Sequence, residues 1–143
     1  MAEPRTAVEL ALRALRFRDR SAAELAARLG EGGVSSGNRH EVLETLRRAG
    51  YVDDDRLAHT RALALAERGC GDALIRDDLE GRGVALDLVE RALATLQPER
   101  VRAQRVIARR GEGQKTLRYL AARGFAEEEL EMFVARDTDG AID

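Results

Sequence analysis

Apolar residues recur along this 143-residue chain at helical spacing, in short runs that glycine divides. Val8, Leu12 and Leu15 fall at i, i+4 and i+7. Val89, Leu93 and Leu96 repeat that interval, and Leu130, Phe133 and Val134 do so over a shorter run. Proline interrupts only at Pro4 and Pro98. The pattern predicts an all-α fold.

The runs also match one another. "RLGEGGV" takes Leu29 to Gly33 and Val34, "DLEGRGV" takes Leu79 to Gly83 and Val84, and "YLAARGF" takes Leu120 to Gly124 and Phe125. A second marker agrees, since Arg68-Gly69-Cys70-Gly71 answers Arg110-Gly111-Glu112-Gly113. Each unit therefore reads as three short helices: one before the Gly-x-Gly turn, one from there to the leucine, and one after the Gly-apolar pair. The units fall at 5–52, 53–97 and 98–136, with 137–143 as a flexible tail. A unit of this size has little core of its own, so neighbours must pack along the chain. The prediction is a tandem array of three three-helix repeats, elongated and curved.

Local signals fit this division. Ser21-Ala22-Ala23-Glu24 is a capping-box pattern, and Ser35 is placed to cap the helix that follows. In "RRAGYVDDDRLAHTRA", Gly50 stands where a helix C-terminus wants a left-handed residue, with Tyr51 able to fold back on it. Asp53 or Asp54 then caps the next helix, and the remaining carboxylates lie in its first turn, where the helix dipole favours them. The aspartates need no metal to explain them, and the glycine and distal glutamate of a calcium loop are missing.

Composition narrows the function by exclusion. Hydrophobic residues are 44% of the chain, too many for disorder, while charged residues at 35% suit a thin molecule with much surface. Aromatics are 3% and Trp is absent, which argues against a base-stacking platform. Cys70 is alone, so an internal disulfide and a cysteine-only metal cluster are both excluded. No apolar run approaches membrane-spanning length, and a cytoplasmic protein is expected. "RGEGQKT" lacks phosphate-loop spacing, His40 and His59 are isolated, and Cys70 has no base near it in sequence. Catalysis, cofactor and metal are not expected.

What is left is binding, and the charge is uneven. Residues 1–52 carry nine Arg against seven acids, 53–97 six against ten, and 98–143 nine basic against nine acidic residues. Arg102, Arg105 and Arg109 share one helix face. That face suits an acidic protein or a phosphate backbone, and a plain solvated surface would look the same.

The junction and its neighbours carry a resemblance. "GYVDDDRLA", then "RGCG", then Ile75 and Leu79 leading to Gly83-Val84, resemble the central signature of the RecX family, and Ser21 to Leu29 resembles the opening of the family's units. The likeness spans nearly the whole chain. It implies a non-enzymatic regulator that binds the RecA recombinase and its nucleoprotein filament and inhibits ATPase, strand exchange and filament growth, with weak DNA contact in some members. The family's middle unit is rich in basic residues on its first two helices. Here those sites hold Leu63, Leu65, Glu67, Ala73, Leu74 and Glu80, leaving Arg68, Arg76 and Arg82. Arg39 stands at an apolar position, and Ala85 and Ala126 replace the usual Ser or Asp caps. The candidate partner-binding residues are thus Arg68, Arg76 and Arg82 in the second unit, and Arg102, Arg105, Arg109 and Arg118 in the third, all expected to be exposed on a monomer. Gly50, Tyr51, Leu79, Gly83 and Val84 are assigned to the fold. Two other readings stay open: a direct DNA-binding competitor, and a helical-repeat adaptor for another protein.

Overall fold

Ser21 shows how the sequence places its helices. Its hydroxyl accepts the Glu24 N–H at 3.0 Å, while the Glu24 carboxylate accepts the Ser21 N–H at 3.1 Å, closing the capping box at the start of a helix. The computed structural model describes residues 4–16, 18–131 and 133. Among them, helices α1 (Pro4–Leu15), α2 (Ala22–Glu31), α3 (Ser36–Arg48), α4 (Asp54–Glu67), α5 (Asp72–Gly81), α6 (Leu86–Ala94), α7 (Glu99–Arg110) and α8 (Gln114–Ala122) follow in order, with a further helical segment at 127–131. No strand occurs among the described residues. Val134 and the tail 137–143 lie outside them.

One turn recurs. At Leu29–Val34, Leu46–Tyr51, Leu65–Cys70, Leu79–Val84 and Leu120–Phe125, the residue after a glycine donates its N–H back to the leucine carbonyl five positions earlier, at 2.9–3.1 Å. The glycine itself bonds one residue further along. This is the Schellman end of a helix, and it requires the positive φ seen at Gly33, Gly50, Gly69, Gly83 and Gly124. The residue after the glycine is buried at Val34, Cys70, Val84 and Phe125. Tyr51 departs from this: it is 56% exposed, and Val52 takes the buried place instead. Val52 joins Leu46 in the same core.

Three separate apolar cores result. Leu25, Leu29, Val34, Val42, Leu46 and Val52 form the first, with Ala7 and Ala11 from α1. Leu57, Ile75, Leu79, Val84, Val89 and Leu93 belong to the second, and Ala103, Ile107, Leu117, Leu120, Phe125 and Leu130 form the third. Leu96 and Phe133 pack at the edges of theirs, as their spacing implies. The stripe expected on α1 holds at Val8 and Leu15, which pack against the first core, and fails at Leu12. Leu12 is 39% exposed, and Ala7 and Ala11 lie buried where α1 crosses α2 and α3. Two alanines let the helix axes approach more closely than leucines would.

The caps follow sequence with one compensation. Asp53 accepts the Arg56 N–H at 3.0 Å and Ser35 accepts the Asn38 N–H at 3.3 Å. Asp54, in the first turn of α4, reaches back to the Ala22 N–H at 2.9 Å and so helps cap α2 of the preceding unit. Ala85 supplies no cap, as expected. At Ala126 the backbone N–H is held at 2.6 Å by the carboxylate of Glu99.

Units meet through backbone and polar groups, in a way that repeats. Between the first and second units, the Ser21 hydroxyl donates to the Arg82 carbonyl. Between the second and third, the Gly71 N–H donates to the Arg123 carbonyl at 2.8 Å, and the Ala73 N–H to the Gly124 carbonyl at 3.2 Å. Ser21 and Gly71 are both N-caps of a unit's middle helix, and Arg82 and Arg123 are both C-caps of the next unit's middle helix. The array is elongated because its units touch along narrow joints and keep their cores apart.

Candidate partner-binding groove

The second joint opens on one side into a groove of about 690 Å³. Two helices wall it. From α4 come His59, Leu63, Ala66 and Glu67, at helical spacing on one face; from α7 come Arg102, Arg105, Val106 and Arg109, spaced the same way. Leu96 joins the floor from the segment after α6, and Arg68 and Arg110 stand at the rim. Leu63 is 54% exposed, a large apolar side chain left in water. Tyr119 also lines the groove, but the Arg110 guanidinium stacks on its ring at 3.7 Å from the centroid, so that face is already covered.

The expectation that all seven candidate arginines are exposed fails most clearly at Arg102, and Arg76 and Arg82 are only half-exposed. Arg102 is 8% exposed and fully engaged: Nε donates to the Gln97 carbonyl at 3.0 Å, Nη1 to the Cys70 carbonyl at 2.9 Å, and Nη2 to Asp72. Burying a guanidinium is tolerable only with such a complete set of acceptors. Arg102 is a latch of the joint whose edge lines the groove.

Two more candidates are spent on internal pairs. Arg76 grips Glu90 with two hydrogen bonds, at 2.7 and 3.2 Å. Arg82 bonds Asp78 at 3.1 Å and lies 3.5 Å from Glu24 of the first unit. Arg61 also bonds Asp78, at 3.0 Å. Burial opposes ionisation of Asp78, but the hydrogen bonds from Arg61 and Arg82 outweigh it and hold the carboxyl below its ordinary range. These arginines tie α4, α5 and the first unit together.

Arg68, Arg105, Arg109 and Arg118 are exposed, and no carboxylate among the described residues pairs with them. Three of the four, Arg68, Arg105 and Arg109, meet in the groove. Arg118 stands outside it on α8.

Sequence reasoning missed four participants. Leu63, Leu96 and Val106 read as ordinary helix residues, although Leu63 was conspicuous as an apolar residue at a site that the resemblance makes basic. The fourth is Arg123, whose guanidinium reaches the Arg68 carbonyl at 2.6 Å and the Cys70 sulfur at 3.6 Å across the joint. Alignment of "GRGV" with "ARGF" pairs it with Arg82, and that signal was available.

A carboxyl is also trapped at this joint. Burial raises Glu99 above its ordinary range and nearby Asp72 adds to the effect, against the opposing bond from the Ala126 N–H. No group of three or more His, Cys, Asp or Glu that could hold a metal occurs among the described residues, nor does any helix there have the length and apolarity to cross a membrane.

Comparison with known proteins gives a consistent picture. The chain is 33% identical over 132 residues to the regulatory protein RecX of Halorhodospira halophila, spanning 85% of this chain and 82% of that one. It is 33% identical over 129 residues to the regulatory protein RecX of Chromohalobacter salexigens, at 84% and 85% coverage. In fold it is similar to the crystal structure of RecX from Lactobacillus salivarius, with a TM-score of 0.79 over 93% of this chain and 95% of that one, at 16% identity. No family model matches the sequence.

Proposed function

The chain belongs to the RecX family of regulatory proteins, and from that membership we propose that it binds the RecA recombinase and its nucleoprotein filament and restrains ATPase activity, strand exchange and filament growth in DNA repair and recombination. It acts without catalysis, as a cytoplasmic monomer. The observation that carries this reading is the set of exposed arginines, Arg68, Arg105 and Arg109, gathered on one groove with no carboxylate among the described residues paired to them. Such charges steer association with an acidic surface and fix its register. Arg118 extends the basic surface along the third unit. Regulation then follows from preferential binding: a protein that prefers the inactive or shortened filament shifts the population toward it, and equal affinity for both states shifts nothing.

The test is RecA ATPase on single-stranded DNA with this protein titrated in, beside a gel shift of the protein on DNA alone. The reading expects ATPase loss at substoichiometric protein with little shift of bare DNA. Loss that appears only where bare DNA also shifts would replace it with competition for the strand, and unchanged ATPase would remove RecA as the partner.

A further inference from the structure

The arginines account for only half of the groove. Its other half is apolar, with Leu63 exposed between His59 and Glu67 on α4, and Leu96, Ala66 and Val106 beside it. We propose that this groove seats an amphipathic helix of a protein partner, its apolar face on Leu63, Leu96 and Val106 and an acidic flank along Arg105 and Arg109. The proposal deepens the regulatory reading above and rests on it for the partner's biological identity.

The geometry favours a helix. α4 and α7 each present one stripe at helical spacing, and a third helix laid between them would place its i, i+4 and i+7 side chains against both. Charge is distributed asymmetrically across the seat. The α7 wall carries Arg105 and Arg109, whereas the α4 wall carries Glu67 and the partly exposed His59, with Arg68 only at its C-terminal end. A helix with carboxylates on one flank only matches that asymmetry.

A nucleic-acid strand matches it poorly. Its phosphates recur at every nucleotide, so a strand filling the groove meets Glu67 as well as the arginines. It has no use for an apolar floor. Base stacking would need an open aromatic face, but Arg110 covers Tyr119 at 3.7 Å and Phe125 is buried. The chain's net charge of −2 gives no general attraction to a polyanion.

The probe is a fluorescein-labelled peptide about 18 residues long, five turns of helix, with leucines at i, i+4, i+7 and i+11 and glutamates along one flank. Fluorescence anisotropy compares it with the same peptide bearing Gln for Glu, with one bearing Ser for Leu, and with a labelled single-stranded oligonucleotide. The protein variants are Leu63→Ser and Arg105→Gln/Arg109→Gln, all at exposed positions, with Leu86→Ser as a control at an exposed leucine outside the groove. The acidic leucine peptide should bind best, and both groove variants should weaken it about tenfold or more while Leu86→Ser leaves it unchanged. An oligonucleotide that binds more tightly than the peptide, or peptide binding indifferent to Leu63→Ser, overturns the proposal. The peptide reads the groove without RecA, so the two ideas fail separately. A groove that ignores the peptide while RecA is still inhibited sinks this inference alone. Peptide binding by a protein inert toward RecA sinks only the partner assigned above.

Discussion

Gly71→Ala is the sharpest test of how the units are joined. Gly71 has φ −83° and ψ 172°, a conformation open to alanine, so the backbone adds no strain. As an N-cap, alanine is a poorer residue than glycine, by roughly 0.5–1 kcal/mol. The new methyl group, however, would overlap the backbone of Gly124 and Phe125, which cannot rotate aside as a side chain could. Either the joint stays shut under overpacking, at about 1–3 kcal/mol, or it opens. Opening strands the Gly71 and Ala73 donors, now bonded to the Arg123 and Gly124 carbonyls, at about 1–3 kcal/mol for each that stays buried. Both routes carry some of each cost, and about 3 kcal/mol is the expected loss. For a chain near 150 residues that lowers Tm by roughly 6–12 °C. The control is Gly69→Ala, two residues away, where φ is +84° and the space is open; its cost is the left-handed strain of about 1–2 kcal/mol. Thermal and urea unfolding followed by circular dichroism should place Gly71→Ala well below Gly69→Ala. The urea transition should also broaden or split, because the three cores can melt apart once the joint is loosened. A Gly71→Ala protein as stable as Gly69→Ala, unfolding in one sharp step, would refute the view that these units are held by backbone contact at Gly71.

Three further outcomes follow from particular residues. Leu79, fully buried in the second core, should cost about 2–5 kcal/mol as Leu79→Ala; a melting curve that barely moves would count against the repeat packing. Arg102→Ala should cost about 3 kcal/mol by leaving Asp72 and two carbonyls unanswered, whereas Arg105→Ala and Arg109→Ala should stay within about 0.5 kcal/mol of the parent; equal losses would mean that Arg102 is no latch. Glu99 has a folded-state pKa above its unfolded value, so its folded form holds the proton longer, and its contribution to stability falls as pH rises from about 4.3 through the raised value. Glu99→Gln, which keeps an oxygen for the Ala126 N–H, should therefore raise Tm at pH 7 and give no gain at about pH 3.5, and a gain of the same size at both would contradict the trapped-carboxylate account.

Much of the fold was legible because helix ends obey local chemistry. The Leu-to-Gly interval encodes a turn that only glycine can make cheaply, and Ser21, Ser35 and Asp53 supply caps whose partners lie within three residues. On α1 the spacing found Val8 and Leu15 but named Leu12 in place of Ala7 and Ala11, because spacing alone ranks leucine above alanine, whereas closely crossing helices reverse the order. The site was less legible for the same reason in stronger form. Whether an arginine is free depends largely on carboxylates distant in sequence: Arg76 is taken by Glu90, Arg82 by Glu24 as well as by Asp78 one turn away, and Arg102 by Asp72. No periodicity reports pairs separated by 14 or 30 residues. The groove itself is a joint between units, visible only once α4 and α7 are brought side by side.

The same arginine that closes that joint also lines the groove, and this couples partner binding to the angle between the second and third units. Arg102 holds Cys70 and Asp72 of the second unit from its place on α7, between the walls a partner would touch. A helix seated on both α4 and α7 binds tightly only when those walls keep their spacing. By reciprocity, a bound helix must stabilise the joint by as much as the joint favours the helix. Gly71→Ala changes no groove residue, yet it should weaken the acidic leucine peptide, and saturating peptide should recover part of the lost Tm. Unaltered affinity in a variant with a loosened joint would show instead that one wall is enough, and the more exposed Leu63 side of the groove would then be the whole of the binding surface.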